Sequence, residues 1–159
     1  MKLNSIGLNT EKSKSLSKDL NKLLANFQTY YQNLRGIHWN IKGKSFFDLH
    51  AKFEELYDDA NLKVDEIAER ILTLGEVPLH TFEDYMENSN VPIGKNVTKD
   101  EEAIQLIVDS LKELLLIERK ILADSDEAQD EGTNSMMSDF ITEQEKTVWM
   151  MKAWLAEEI

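Results

Sequence analysis

Apolar residues recur at spacings of three and four along four long segments of the chain, the pattern of helices that bury one face. The first segment runs from about residue 11 to 37 and carries Leu16, Leu20, Leu23, Leu24, Phe27, Tyr30, Tyr31 and Leu34. The second follows Ser45, a good N-cap with Asp48 in the first turn. It continues through Phe53, Leu56, Tyr57, Ala60, Val64, Ile67 and Ile71 to Gly75, with Pro78 just beyond. The third covers roughly 100–123 (Ile104, Ile107, Leu111, Leu114, Ile121) and the fourth about 134–158 (Met137, Phe140, Ile141, Val148, Met151, Leu155). Short connections make each outer pair of segments an antiparallel hairpin. The middle link, residues 76–99, is long, holds both prolines, and contains TFEDYMEN, enough for a short helix. This order predicts an all-α, ferritin-like four-helix bundle with a short extra helix in the long crossover between helices two and three. Nothing repeats and no second domain is visible, so residues 1–159 read as one domain with a short N-terminal tail over residues 1–9.

Composition sharpens this picture. Six glycines and two prolines in 159 residues suit a helical chain. There is no cysteine, which excludes disulfides, thiolate zinc sites, iron–sulfur clusters and cysteine nucleophiles. Any metal must use nitrogen and oxygen ligands, which suits iron, manganese or a His/carboxylate zinc site. A formal net charge of −12 repels nucleic acid and attracts cations. No apolar run reaches signal-peptide or membrane-spanning length, so a soluble, cytoplasmic protein is expected, with no membrane partner.

The second helix carries the chemistry. At 100° per residue its apolar stripe falls within about 60° of the Phe53 direction. On one flank lie Lys52, Glu55, Asp59, Lys63, Glu66 and Arg70, mixed in sign, as on an ordinary solvated face. The other flank carries His50, Glu54, Asp58, Asn61, Asp65 and Glu69, without a lysine or arginine. Carboxylates collected this way repel one another unless something positive binds there; acid pairs at this spacing also occur on plain solvated helices.

Geometry constrains what could bind. His50 and Asp65 lie fifteen residues apart, about 22 Å along one helix, too far to share a metal ion. The Glu-x-x-His motif of ordinary ferritin-like di-iron sites is absent: Arg35, Phe47 and Val77 stand three residues before His38, His50 and His80. Two-fold symmetry offers a different solution. If the helix packs antiparallel on its copy, with the dyad near Asp58 or Asp59, His50 of one chain meets Asp65 and Glu69 of the other. His38, placed in the turn before the helix, could fold over the same point.

The motif His38-Trp39 with Gly43, then His50, then Asp65-x-x-x-Glu69 resembles that of the Dps family, the miniferritins, and helix count, crossover and chain length extend the resemblance over nearly the whole chain. The resemblance implies a hollow homododecamer with two-iron ferroxidase centres at two-fold interfaces, where hydrogen peroxide oxidises Fe(II) and ferric mineral collects inside. It implies that His38, His50 and Glu54 come from one subunit, and Asp65 and Glu69 from its neighbour. Trp39 would lie beside the centre, intercepting stray oxidising equivalents or packing the interface. Glu54 departs from the family's usual aspartate and puts the second iron position in doubt.

The stretch ADSDEAQDEG reads as a solvated acidic loop between helices three and four; the resemblance implies that this junction lines three-fold pores, with Asp126 and Asp130 as the favoured pore acids. The lysines of the N-terminal segment are interspersed with acids, and the tail is short, so DNA binding is expected to be weak or absent. His80 beside Pro78 reads as an exposed loop residue, and Trp149, Trp154 and the methionines of helix four as packing. Two rivals stand against a peroxide-consuming ferroxidase: a non-enzymatic DNA-binding nucleoid protein of the same fold, and a monomeric di-metal bundle oxidase.

Overall fold

The computed structural model describes residues 2–159 as five helices: α1 (Thr10–Asn40), α2 (Phe46–Thr73), α3 (Phe82–Asn88), α4 (Asp100–Glu127) and α5 (Glu131–Trp154). The predicted all-α ferritin-like bundle is what forms, with α3 as the short helix of the crossover. α1 pairs with α2 and α4 with α5, and α1 also packs on α4. Their apolar stripes meet in one core in which Leu20, Leu23, Leu34, Phe53, Ile67, Ile71, Ile104, Leu114, Ile121 and Met137 are fully shielded. Phe27 and Phe140 meet edge to face across it at 6.0 Å.

Each helix end has a local cause. Asn9 caps α1 by accepting from Lys12 N at 2.9 Å, and Thr81 caps α3 by accepting from Asp84 N. Ser45 occupies the N-cap position of α2, as expected, but its hydroxyl makes no capping hydrogen bond. Gly75, at φ +94°, terminates α2 in a conformation that costs glycine nothing.

Several boundaries differ from expectation. α1 continues to Asn40, so His38 belongs to its last turn and not to the connecting loop. Residues 2–9 fold back on the start of α1. Leu3 bridges Asn9, Thr10 N donates to Lys2 O, and Asn4 Oδ1 accepts from Leu8 N at 2.9 Å around Gly7. The acidic junction is not a loop either. Asp124, Asp126 and Glu127 close α4, and Asp130 is the N-cap of α5. Asp130 is 1 % exposed; it accepts from Thr133 N and is paired with Arg70 of α2. Gly132 permits this approach, since a Cβ there would stand 2.9 Å from the Arg70 guanidinium nitrogens. Lys63 is likewise buried, bonded to Asp59 at 2.6 Å and to Glu143 of α5 at 2.7 Å. Burial opposes its charge, yet the two carboxylates prevail and hold its pKa above the ordinary lysine value. The mixed-charge flank of α2, expected to be solvated, is therefore partly a seam against α5.

Three asparagines of α1 hold the crossover, whose Leu79, Val91 and Val97 also pack against the core. Asn21 accepts from Leu79 N and donates to Val77 O. Asn26 accepts from Asn90 N at 2.8 Å and Val91 N at 3.2 Å, and donates to Asn88 O. Asn33 accepts from Gly94 N and donates to Pro92 O at 2.7 Å. An amide carries both a donor and an acceptor, so one side chain serves two backbone polarities at once. Asn26→Leu keeps the volume but strips these partners; it is expected to destabilise the protein by about 2–4 kcal/mol. Denaturant unfolding measures the loss, and faster amide exchange around residues 88–91 would localise it.

Candidate metal centre

The last turn of α1 and the first turn of α2 bring His38 and His50 together. Their rings stack with centroids 3.8 Å apart and planes 12° from parallel. Each Nδ1 lies 2.7 Å from the other's main-chain oxygen: His38 Nδ1 on His50 O, and His50 Nδ1 on His38 O. A carbonyl can only accept, so both Nδ1 atoms carry the hydrogen. In the neutral rings this leaves both Nε2 lone pairs free on the side away from the clamp. An imidazole whose Nδ1–H is fixed to a carbonyl is the usual form of a metal-binding histidine. The ring of Phe46 backs His50 at 4.9 Å, and Tyr57 meets His38 edge-on at 5.3 Å.

Glu54 stands one turn along α2 from His50 and accepts a long hydrogen bond from the Tyr57 hydroxyl at 3.4 Å. Burial, reinforced by the charges of Glu54 and Asp58, raises the Tyr57 pKa. The phenol therefore stays a donor at neutral pH and orients the carboxylate. Trp39 follows His38 and is 56 % exposed, with the Arg35 guanidinium 4.8 Å over its ring and also over Tyr31. This support was not read from the sequence: Tyr57 sat unremarked on the apolar stripe, although its position three residues after Glu54 puts the two side chains within reach.

Asp65 and Glu69 lie far down the same helix, exposed, as are Glu54, Asp58 and Asn61. None of these four carboxylates has an ion-pair partner among the described residues, whereas Lys52, Lys63 and Arg70 on the opposite flank are all paired. Among the described residues no group of three His, Asp or Glu side chains is close enough to hold a metal ion. The candidate ligands thus lie in two groups at opposite ends of α2, and among the described residues they do not converge. Between them Leu62 is 63 % exposed, and Phe47 beside the histidines is 82 % exposed.

The remaining candidates separate. Asp126 is exposed at the α4–α5 junction, while Asp130 points inward to Arg70 and Thr133 and presents no carboxylate to a solvent passage. His80 is exposed, its Nδ1 3.0 Å from Pro78 O. Trp149 is 57 % and Trp154 40 % exposed, so neither packs the core of the chain. No helix among the described residues is long and apolar enough to cross a membrane.

Four long helices with one crossover define a ferritin-like protein, and the ferritin-like domain family matches residues 17–158. The histidine pair and the distant acids narrow this: the chain belongs to the Dps family. It is 40 % identical over 148 residues to the "DNA protection during starvation protein" of Porphyromonas gingivalis, with 93 % of each chain covered. An uncharacterised protein of Haemophilus influenzae is 49 % identical over 153 residues, covering 96 % of each. The crystal structure of a Dps protein from Vibrio cholerae O1, described as one of the ferritin-like diiron-carboxylate proteins, superposes with a TM-score of 0.95 at 50 % identity, covering 98 % of both chains.

If the two ligand sets meet only across a contact along α2, placing a charge in that contact should abolish metal binding without touching a ligand. The parent protein is expected to develop a Co(II) absorption band; Leu62→Glu is expected to keep its helix content, shift to smaller species on sizing, and lose that band. Retention of a full-strength Co(II) band by the dissociated variant would place a complete site within one chain.

Proposed function

We propose that the protein is a ferroxidase and iron-storage miniferritin, oxidising Fe(II) with hydrogen peroxide at two-iron centres between subunits and storing the ferric product inside a hollow homododecamer. The supporting observation is the split ligand set on α2. The clamped pair His38 and His50 offers two free Nε2 atoms with Glu54 nearby. Asp65 and Glu69 wait unpaired at the other end, where only a second copy related by a two-fold axis can bring them to the histidines. Imidazole and carboxylate bind Fe(II), and carboxylates favour the more highly charged Fe(III) product. Each peroxide takes one electron from each of two Fe(II) ions and, with two protons, leaves as two waters. Consuming both reagents removes the source of oxidising radicals and so protects against oxidative stress. Trp39, exposed beside the histidines, is placed to intercept stray oxidising equivalents, and the same exposed ring can pack against the partner. Asp126 remains the candidate for guiding Fe(II) inward; Asp130, being buried and paired, does not serve.

The rival of a nucleoid protein acting by DNA binding is disfavoured by a net charge of −12. The rival of a di-metal oxidase inside one bundle is disfavoured because no three-ligand cluster exists in the described residues, and Lys63 already supplies positive charge in the bundle.

Subunit mixing tests the shared centre. His50→Ala and Glu69→Ala each should assemble and oxidise Fe(II) with peroxide at least tenfold more slowly, as expected when a ligand is lost. Dissociated, mixed and reassembled, the two variants should regain about a quarter of the parental activity, because an interface between unlike chains keeps one of its two sites whole. No recovery in a properly reassembled mixture would sink the inter-subunit centre. A gel-shift of duplex DNA near physiological salt is expected to show no stable complex; a tight complex there would restore the nucleoid rival.

A further inference from the structure

The middle of the bundle holds a second polar cluster that the iron chemistry leaves unused. Glu118 of α4 is fully buried, and Gln144 of α5 is 6 % exposed. Gln144 Nε2 donates to Glu118 Oε1 at 2.8 Å. The other carboxyl oxygen, Glu118 Oε2, and the amide oxygen, Gln144 Oε1, are both buried and both without a partner. An ionised carboxylate only accepts, and so does an amide oxygen. With Glu118 charged, two acceptors already joined through their residues' other atoms are left unanswered in the core. A single proton on Oε2 answers both, because a carboxylic acid and a primary amide are complementary head to head: N–H to Oε1 in one direction, O–H to Oε1 in the other. Two oxygens fall short of the coordination that zinc or calcium requires, and no third His, Asp or Glu ligand stands close enough to help among the described residues.

We propose that Glu118 is a buried proton-binding site, held as the neutral acid with its Oε2–H donated to Gln144 Oε1, so that a reciprocal acid–amide pair ties α4 to α5.

The groups around it agree. From α1 comes Tyr30, itself a buried phenol pushed up by desolvation and by the charges of Asp59 and Glu118. From α2 come Asp59 and Lys63, and from α5 Glu143; the Lys63 ammonium is already shared between Asp59 and Glu143. Arg119, on the same helix as Glu118, is exposed and turned to Glu145. Desolvation raises the Glu118 carboxyl, the Gln144 bond and the charges of Lys63 and Arg119 pull it down, and desolvation prevails: it moves from the ordinary 4.5 to about 7.

The sign of the stability effect follows. Between pH 4.5 and about 7 the folded chain keeps a proton that the unfolded chain has lost, so stability falls as pH rises through that window and levels off above it. Glu118→Gln supplies an N–H where the acid had O–H, preserves the pair, and has no proton to lose. Its folding equilibrium should therefore gain on wild type by up to about tenfold for each pH unit across the window.

Isotope-edited infrared spectroscopy of the assembled protein, labelled with ¹³C-carboxyl glutamate, reads the proton directly. Wild type at about pH 6 should show a protonated-carboxyl stretch that is absent from Glu118→Gln and fades as the pH is raised past 7. Denaturant unfolding of the two proteins should show the gap in favour of Glu118→Gln widening over the same range. Gln144→Met should retain the band but shift it to that of an acid without an acceptor; if that variant does not fold, the first two proteins decide alone. Absence of any protonated carboxyl in wild type, with parallel pH–stability curves for wild type and Glu118→Gln, overturns the proposal and assigns an ionised carboxylate satisfied by water or a cation.

Discussion

A straight helix cannot bring its own ends together, and the chemistry of this chain is written along one helix. α2 starts beside a histidine pair and ends beside two acids, with a rise of about 1.5 Å per residue keeping them some 20 Å apart. What the single chain can do is prepare each half. The mutual carbonyl clamp of His38 and His50 sets both ring planes and leaves both Nε2 atoms free. The clamp also spans the α1–α2 connection, so the same two bonds that prepare the ligands hold the hairpin at its tip. Positioning the site and closing the fold are one interaction there.

The charge pattern of α2 makes this preparation possible. Its basic residues all sit on one flank and are engaged: Lys52 with Glu55, Lys63 with Asp59 and Glu143, Arg70 with Asp130. Two of these pairs reach α5 or its N-cap and stitch the hairpins together. With Lys63 and Arg70 committed to α5 and its N-cap, and Lys52 paired with Glu55 at the surface, Glu54, Asp58, Asp65 and Glu69 are left facing outward without a fixed counter-charge. Exposed like charges cost little in water, but pressed against a second copy they would repel strongly unless a cation entered. On the proposed function, that repulsion would couple assembly to metal binding.

How much of this was legible in the sequence depends on which force decides each feature. The four long helices, the crossover and α3 follow from apolar periodicity, which burial enforces regardless of partners. His50, Glu54, Asp65 and Glu69 stand out as candidates because they share one flank of α2, whereas His38, on α1, stands out only through the motif it forms with Trp39 and His50. Features set by a single tertiary contact were not. Asp130 looks like any other acid in an acidic run, and only the fold shows Arg70 reaching it across sixty residues of chain. The asparagines Asn21, Asn26 and Asn33 read as ordinary helix-surface polars, because their partners are backbone groups of a segment with no regular pattern. The folded-back N-terminus depends on Gly7 and on one Asn4 side chain, too little for periodicity to register.

The buried layer at Glu118 is poorly suited to hold metal ions inside the bundle. In a ferritin-like fold the natural place for two metal ions is between the helices, where acidic and histidine ligands converge. Here that layer holds Glu118 and Gln144, with Lys63 bonded to Asp59 and Glu143 beside it and Tyr30 opposite. The lysine supplies the positive charge, and an amide replaces an anionic ligand. No histidine reaches the layer: the chain has three, two clamped at the hairpin tip and His80 exposed in the crossover. A divalent ion entering would have to displace an ammonium already bonded to two carboxylates and break the bond between Gln144 and Glu118. The interior layer thus carries its own positive charge, and the carboxylates without a counter-charge lie on the outer flank of α2.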